Sequence, residues 1–432
     1  MPIPADKAKL LGERLAQGSL QDRAESLRPR DPKEYPLPPS ISAGSEHSEQ
    51  ALRKRRVALN GQGIALDQLG GQGPESRPED LEGNIEDFVG FARVPVGVLG
   101  PLRINGLHAH GDFYVPLATT EGALVASCNR GAHLVSHAGG TTALCLNEGV
   151  SRAPCFVFDS VIESAQFVSW LVSAQEMLQQ AVQGTSHHCR LADVQPALIG
   201  KEAYVLFQFE TGDAAGQNMV TLATDAICQA ILREAPHKPV RWYLESNLSG
   251  DKKATMLSFV SSRGKTAVAE VLLPKRLVRR CLHTEPEEVL RYWSVSVLGG
   301  VQAGSIGIQG HFANALAGLF IACGQDAACV AEAAVGLTRV DVTAGGDLYI
   351  SVKLPNLIVG TIGGGTHLPT ARECLAMIGC YGEGKARKFA EVCAATVLAG
   401  EISLIGAIAA GDFSRAHAHY GRRKDQGGPP GR

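Results

Sequence analysis

The chain has 432 residues, of which 45% are hydrophobic, and its 41 basic and 43 acidic side chains leave a net charge of −2 with histidines neutral. This length predicts two or three domains with substantial cores, and the balanced charge excludes a strong electrostatic footprint for nucleic acid or an anionic membrane surface. The 11 cysteines form no CxxC pair, which indicates a reduced, cytoplasmic compartment rather than a disulfide framework.

The first 80 residues are polar and predict two helices, over residues 6–17 and 46–59, separated by a loop rich in Pro and Ser. The N-terminus carries charges every few residues, unlike the apolar segment of a signal peptide. Two later apolar stretches are interrupted by Asp326 and Glu401. Neither offers the uninterrupted apolar run of a membrane span, so we expect no membrane partner.

Between residues 154 and 245 the pattern becomes that of a compact unit in the order strand, helix, strand, strand, helix, strand. This βαββαβ order is typical of a ferredoxin-like fold. The flanking segments are richer in Gly and Ala. The sequence therefore predicts an α+β fold, in which this small domain is inserted into a large helix-rich domain of residues 81–153 and 246–410. Residues 1–80 form an N-terminal helical segment and 411–432 a C-terminal flap and tail.

Two Gly-containing stretches bear on nucleotide binding. The stretch SSRGKT ends like a P-loop, but Phe259 stands where the first Gly must be, and no GxGxxG opens a helix after a strand near the start. The stretch TGDAAGQNMV, residues 211–220, joins a strand to a helix whose first N–H groups could receive a pyrophosphate. On local pattern alone, a capped strand-to-helix turn remains the more frequent explanation.

Isolated charged residues predict an acid–base site. Glu121 lies among small and apolar residues, and Asp326 lies in a predicted helix that is otherwise small and apolar. A buried carboxylate needs a partner or a raised pKa, so we expect Asp326 to face a cation. Asp251, Lys252 and Lys253 follow a Gly-containing turn. The alternatives are a surface turn for Glu121 and a solvated charged turn for the lysines.

A histidine pair, His417 and His419, lies shortly before the polar C-terminus. Its i, i+2 spacing is not helical metal-ligand spacing and no Cys/His cluster accompanies it, so we expect no metal. No GxSxG nucleophile elbow is present either. The isolated acids, the lysine pair and a late histidine indicate proton transfer and oxyanion stabilisation around a carbonyl, without naming the reaction.

Five motifs in order resemble the 3-hydroxy-3-methylglutaryl-coenzyme A (HMG-CoA) reductase family: PLATTEGALVASCNRG, GDAAGQNMV, DKK, GQDAA and DLYISVKLPNLIVGTIGGGT. The similarity extends from about residue 86 to the SRAHAHYGRR stretch. It implies a four-electron reduction of the thioester HMG-CoA to mevalonate and CoA, with two hydrides from two NADPH molecules. The DKK form resembles the branch shared with eukaryotic enzymes, whose membrane anchor is not seen here.

The resemblance implies a catalytic set of Glu121, Lys252, Asp326 and His417. Lys252 would hold the developing oxyanion, and Asp326 would keep it charged and oriented. Glu121, in a dry pocket beside Lys252, would donate a proton to the aldehyde carbonyl. His417 would protonate the departing CoA thiolate.

The resemblance also implies binding residues and partners. The residues that would contact the cofactor, NADPH with NADH possible, are Ser186, His187, Asp213, Gly216, Gln217, Asn218, Gly363 and Gly364. The residues that would contact HMG-CoA or its CoA portion are Ser127, Asn129, Arg130, Arg152, Asn247, Asp251, Lys253 and Asn314. The family forms its active site between subunits, which implies a homodimer or a dimer of dimers.

Three positions depart from the family pattern. Val295 lies where relatives carry a Lys for the substrate carboxylate, Glu245 replaces a substrate-contacting Ser, and residues 186–188 replace a Ser-Arg-Phe stretch near the cofactor's 2′-phosphate. A neutral histidine supplies less to a phosphate than the bidentate, charge-assisted contact of arginine. Two alternatives stay open: the same fold used to oxidise mevalonate with NAD, and a non-catalytic CoA-binding paralogue.

Overall fold

The computed structural model describes residues 5–16, 24–41, 46, 48–73 and 77–412. The α-helices of these residues are α1 (Ala5–Ala16), α2 (Glu49–Gly61), α3 (Leu124–His137), α4 (Val161–Ser173), α5 (Gln175–Gln183), α6 (Gln217–Glu234), α7 (Lys275–Leu282), α8 (Pro286–Gln302), α9 (Phe312–Ala322), α10 (Val330–Ala333), α11 (Pro369–Met377) and α12 (Ala386–Ala409). Short 3₁₀ helices cover Pro78–Leu81, Met256–Phe259, Ala327–Cys329 and Gly364–His367.

The strands are β1 (Val96–Gly106), β2 (His110–Ala118), β3 (Thr141–Arg152), β4 (Cys155–Val157), β5 (Arg190–Ile199), β6 (Glu202–Glu210), β7 (Arg241–Tyr243), β8 (Gly264–Leu273), β9 (Leu337–Val342) and β10 (Leu348–Leu357). The mixture of helices and sheet agrees with the predicted α+β class. The helices predicted over residues 6–17 and 46–59 correspond to α1 and α2, with bounds shifted by up to three residues.

One part of the sheet is formed by β2, β1, β3, β8, β10 and β9. The β1–β3 pair is parallel and the other pairs are antiparallel. Along β10 the side chains of Leu348, Ile350, Val352 and Leu354 are all buried on alternate positions, as expected for a strand with one face on the core. This regular alternation sets the register against β8.

The other part of the sheet has the strand order β7–β4–β6–β5, and every pair in it is antiparallel. It joins the first part where Val150–Arg152 of β3 pairs with Phe207–Phe209 of β6. Helices α4 and α5 precede β5, and α6 follows β6. The sequence predicts one helix before β5, but the structure has two that meet at Ala174.

Helix α12 runs through the core against β8, β10 and α3, and almost every face of it is buried. Such an all-round apolar helix is typical of a protein interior or a membrane span. By length and composition it could cross a membrane, but 83% of its apolar window is buried within the fold. Gly131 of α3 lies so close that an added Cβ would stand 1.8 Å from the Ala399 carbonyl oxygen of α12.

Two acids are buried in α12, and both accept hydrogen bonds from backbone N–H groups. Glu391 accepts the N–H groups of His108, Ala109 and Cys145. Glu401 accepts the N–H groups of Gly310 and His311 and the Thr338 hydroxyl. The Glu401 that interrupts the apolar stretch therefore ties α12 to the loop before α9.

Candidate active site

The centre of the candidate site is an ion pair between Lys252 and Asp326. The Lys252 ammonium nitrogen lies 2.8 Å from Asp326 Oδ2, and both side chains remain about two-fifths exposed, at 43% and 40%. The hydrogen bond to Asp326 raises the pKa of Lys252 above its ordinary value. Burial opposes ionisation of Asp326, but hydrogen bonds from Lys252 and the Ala328 N–H lower its pKa overall. The pair is therefore a charged one at neutral pH.

Asp326 does not lie in a helix, which corrects the sequence-based expectation. Helix α9 ends at Ala322, and Gly324 has a positive φ of 64° that turns the chain. Asp326 then caps the next short helix, because its Oδ1 accepts the Ala328 N–H at 3.0 Å. An added Cβ at Gly324 would stand 2.3 Å from the Gly365 carbonyl oxygen, so this close turn requires glycine. The expected cation partner is present as Lys252.

Gln217 links the Gly-containing stretch after β6 to this ion pair. Gly216 takes a left-handed φ of 83° and opens α6, so Gln217 is the first residue of the helix. The Gln217 amide nitrogen lies 3.3 Å from Asp326 Oδ2 and 2.8 Å from Cys329 Sγ. The first turn of α6 therefore borders the Lys252–Asp326 pair, with Asn218 exposed beside it.

The residues expected to contact a cofactor come from three loops. Ala214 and Ile362 form a β-bridge, which brings residues 213–218 beside Gly363 and Gly364. Residues Ser186 and His187 lie in the turn before β5, whose Arg190 pairs with Glu210 at the end of β6. The loops of residues 186–187 and 213–218 therefore both adjoin the C-terminal end of β6, and Gly363 and Gly364 lie beside the second of them.

Asp213 already has partners in this structure. Its carboxylate accepts the N–H groups of Gly384 and Ala386, at 2.7 and 3.0 Å. These are the groups at the N-terminus of α12, where a negative charge is favourable. The arrangement favours a structural role for Asp213 in addition to any contact with a ligand.

A buried network of charges lies beside Lys252. Asp251 pairs with Arg152 at 2.9 Å and with Arg263. Arg152 also contacts Glu245 at 3.2 Å and donates to Thr221 at 3.0 Å. Burial opposes ionisation of Asp251, but the two arginines lower its pKa. Arg152 is thus already neutralised by two carboxylates of this chain.

Two further residues expected near the substrate lie on the same loop. Asn247 has a positive φ of 65° and donates its N–H to Glu245 Oε1 at 2.8 Å. Lys253 is exposed and its ammonium donates to the Asp251 carbonyl at 2.9 Å. The loop is therefore held by contacts that converge on Glu245 and Asp251.

Glu121 is placed differently from the expectation. It is exposed on the described chain, and its Oε2 accepts a hydrogen bond from Asn314 at 2.7 Å. In the single chain, the turn after β2 leaves Glu121 exposed, so the described residues do not by themselves enclose it in the expected dry pocket beside Lys252. Asn314, which the resemblance implies as a substrate contact, therefore lies beside Glu121.

Three residues expected to contact CoA lie on α3. The Ser127 hydroxyl donates to Ser403 of α12 at 3.0 Å, Arg130 donates to the same residue's hydroxyl and carbonyl oxygens, and Asn129 accepts the Gly100 N–H at 2.9 Å. These contacts fasten α3 to α12 and β1. His417 lies outside the described residues.

Comparison with known proteins identifies the family. The model of the hydroxymethylglutaryl-coenzyme A reductase family matches residues 51–422. A Pyrococcus abyssi 3-hydroxy-3-methylglutaryl-coenzyme A reductase is 44% identical over 86% of this chain and 93% of its own, and an Aeropyrum pernix reductase is 46% identical over 78% and 82%. The chain belongs to this family. The resemblance inferred from the five motifs is confirmed, and the protein is an oxidoreductase.

A solved reductase shares the fold. The class II 3-hydroxy-3-methylglutaryl-CoA reductase from Streptococcus pneumoniae, bound to NADPH, has a TM-score of 0.67 at 17% identity. The similarity covers 84% of this chain and 86% of that one.

Three residues near the candidate site were not predicted from the sequence: Arg263, Glu332 and Cys329. Arg263 lies in the SSRGKT stretch, whose pattern draws attention only as an incomplete P-loop, and it is 2% exposed. Glu332 is fully buried, and Cys329 contacts Gln217. The signal available for Glu332 was the one used for Glu121, an acid among small and apolar residues.

Proposed function

We propose that this chain reduces HMG-CoA to mevalonate and CoA at the expense of two NADPH and two protons. The observation that carries the proposal is the Lys252–Asp326 ion pair at 2.8 Å, bordered by the first turn of α6. A preformed positive charge stabilises a carbonyl oxygen as hydride arrives, because negative charge develops on that oxygen. The same oxygen gains charge in both reductions, so one cation serves both steps.

The proposed roles follow from the chemistry of each side chain. Lys252 holds the oxyanion, and Asp326 keeps the ammonium oriented. Glu121, held by Asn314, supplies a proton to the alkoxide that the second hydride creates. His417 protonates the CoA thiolate when the hemithioacetal formed by the first hydride collapses, so that the thiolate does not recapture the aldehyde.

The proposed cofactor is NADPH. The fold is shared with a reductase that binds NADPH, and the loops of residues 186–187 and 213–218 both adjoin the C-terminal end of β6. The first N–H groups of α6 suit a pyrophosphate. The turn containing Ser186 and His187 lies at the same end of the sheet and suits the 2′-phosphate. NADH remains the competing cofactor, because these residues offer no arginine there.

We further propose that residues 154–245 form the inserted ferredoxin-like cofactor domain. The strands lie in the all-antiparallel order β7–β4–β6–β5, and helices follow β4 and β6 along the chain. This arrangement supports the division. Residues 81–153 and 246–410 then form the substrate domain, 1–80 an N-terminal helical segment, and 411–432 a C-terminal flap that carries His417. The proposed compartment is the cytoplasm.

The proposed assembly is a homodimer or a dimer of dimers. Glu121 is exposed on the single chain, although a proton donor works best where water is excluded. Helix α8 exposes Val295, Leu298 and Val301, and Val89 is 99% exposed. Such apolar exposure is typical of protein interfaces. A second subunit over these residues would complete the active site.

The test is an assay of NADPH oxidation at 340 nm with HMG-CoA, combined with titration of released CoA thiol. The expected result is two NADPH oxidised per CoA released. NADH and the reverse reaction with mevalonate, CoA and either NADP or NAD are run in parallel. HMG-CoA binding without oxidation of either cofactor would refute the proposal in favour of a non-catalytic protein, and faster mevalonate oxidation with NAD would reverse its direction.

A further inference from the structure

One short segment, residues 326–332, holds Lys252 at two points. Asp326 pairs with the side-chain ammonium at 2.8 Å, and Glu332 Oε1 accepts the backbone N–H of the same lysine at 3.3 Å. Lys252 has a φ of 55°, in the left-handed region that costs energy for a residue with a side chain. The direction of the lysine side chain therefore depends on groups that hold its backbone in this conformation.

Glu332 is built into the protein rather than exposed at the site. It is fully buried on α10, and its Oε2 lies 3.3 Å from Nε of Arg263, which is itself 2% exposed. Arg263 also contacts Asp251 and donates to the Gln217 side-chain oxygen at 3.1 Å. Burial of a charged pair costs free energy unless the geometry repays it. The Glu332–Arg263 contact is an ion pair without a hydrogen bond between the two atoms. Through Arg263, Glu332 is connected to Asp251, the residue before Lys252, and to the first turn of α6.

We propose that Glu332 is a positioning residue for Lys252: its carboxylate, anchored by Arg263, holds the lysine backbone so that the ammonium stays on Asp326. The inference rests on the proposed role of Lys252 in stabilising the oxyanion. Because Glu332 is fully buried, we expect it to act on the rate through the orientation of the lysine and not by contact with substrate or cofactor.

The charge of Glu332 makes this positioning sensitive to pH. Burial raises the pKa of Glu332 to about 7, although Arg263 and the Lys252 N–H act to lower it. Asp251 adds to the increase and a hydrogen bond with Cys329 opposes it. The carboxylate is thus ionised above about pH 7, and protonation as the pH falls through that value removes its attraction to Arg263. A neutral carboxyl still offers an oxygen to the Lys252 N–H.

The experiment compares Glu332→Gln and Glu332→Ala with Glu391→Gln and Glu391→Ala. Glu391 is a matched control, because burial raises its pKa to about 7 as well and it accepts backbone N–H groups of His108, Ala109 and Cys145 instead. Glu332→Ala is expected to lower kcat about 100-fold for HMG-CoA and for mevaldehyde, the aldehyde that the second hydride reduces. A misplaced reacting group has an effect of this size. Glu332→Gln is expected to lower kcat by only about tenfold, because its amide oxygen still accepts the Lys252 N–H. KM should change less than kcat.

The pH profile separates positioning from general stability. Wild type and Glu391→Gln should both lose kcat as the pH falls through about 7. Glu332→Gln should lack this decrease, since it resembles the protonated form at every pH. Its kcat should match that of the wild type at low pH.

Hydrogen exchange of the whole protein, followed in the proteolytic peptide of residues 247–256, tests the contact between Glu332 and the Lys252 N–H without turnover. Glu332→Ala should speed exchange of the Lys252 N–H, and Glu391→Ala should not. If the chain failed to reduce HMG-CoA at all, this measurement would still decide whether Glu332 holds Lys252. Unchanged exchange, or kcat values equal to those of the Glu391 variants, would overturn the proposal. If Glu332→Ala does not fold, the pH profile of Glu332→Gln decides: a decrease in kcat like that of the wild type would overturn the proposal.

Discussion

Two ion pairs in this protein have the same charges and opposite surroundings. Arg103 and Asp112 form a pair at 2.7 Å in which the arginine is 1% exposed. Lys252 and Asp326 form a pair at 2.8 Å in which both partners are about two-fifths exposed. The first joins β1 to β2, and the second joins two loops at the candidate site.

The pairs differ most in how many donors are used. Arg103 donates to both Asp112 oxygens and to the carbonyl oxygens of Arg30, Tyr35 and Pro36. Lys252 has three ammonium protons, and among the described residues its ammonium is paired with Asp326 alone. A saturated buried charge stabilises a fold, whereas a charge with unused donors can receive a ligand oxygen. Arg103 is therefore expected to contribute to stability, and the ammonium protons of Lys252 that Asp326 does not accept suit the role proposed for it.

Arg103→Met removes the Arg103–Asp112 pair, and it should have the largest effect on stability. It leaves Asp112 and three carbonyl oxygens without their donor, so we expect the free energy of unfolding to fall by about 3–5 kcal/mol. Denaturant titration measures this. The matched control is Arg339→Met, because Arg339 and Asp341 form an exposed pair at 69% and 53% and its loss should cost about 1 kcal/mol at most.

The activity of the folded Arg103→Met fraction should remain near that of the wild type. A loss of activity without a loss of stability would contradict the structural role assigned to this pair.

Lys252→Ala should instead lower the activity and leave the stability nearly unchanged. Because the ammonium is proposed to stabilise the oxyanion in both reductions, its loss should lower kcat about 100–1,000-fold with HMG-CoA and with mevaldehyde. The pair is exposed, so the free energy of unfolding should change by about 1 kcal/mol or less. Steady-state kinetics and denaturant titration on one preparation give both values. Activity within a few-fold of the wild type would remove Lys252 from the proposed mechanism.

Glu245→Ser is expected to have a smaller effect, on KM, through the charge network beside Lys252. Glu245 lies 3.2 Å from Arg152. The family resemblance implies that Arg152 contacts the substrate carboxylate, so we expect Glu245 to compete with that carboxylate for the arginine. Without the negative charge of Glu245 beside the negative substrate carboxylate, KM for HMG-CoA and mevaldehyde should fall about tenfold, and kcat should be nearly unchanged. Inhibition by CoA, which lacks the carboxylate, should not change.

The control for Glu245 is Glu202→Ser, because Glu202 accepts the Tyr204 hydroxyl on β6, in the same segment of residues 154–245. A rise in KM for Glu245→Ser would mean that Glu245 helps to hold the substrate instead of competing with it.

Local patterns predict much of the fold because their causes are local. The alternation of the CFVFDS stretch, which contains β4, and the helical pattern of α6 are properties of consecutive residues. The two helices α4 and α5 are predicted as one because their apolar spacing continues through Ala174. Asp326 is predicted to lie in a helix for the same reason, whereas the chain turns at Gly324 and passes so close to Gly365 that no side chain fits there.

The sequence by itself determined the family, through five motifs in order, and the expectation that Asp326 meets a cation. Only the tertiary structure decided that this cation is held from its backbone by Glu332, and that Arg152 is neutralised by Glu245 and Asp251. The physical reason is that burial and charge pairing depend on segments far apart in the chain. An acid in a short apolar stretch has the same pattern whether it is buried, as Glu332 is, or exposed, as Glu121 is.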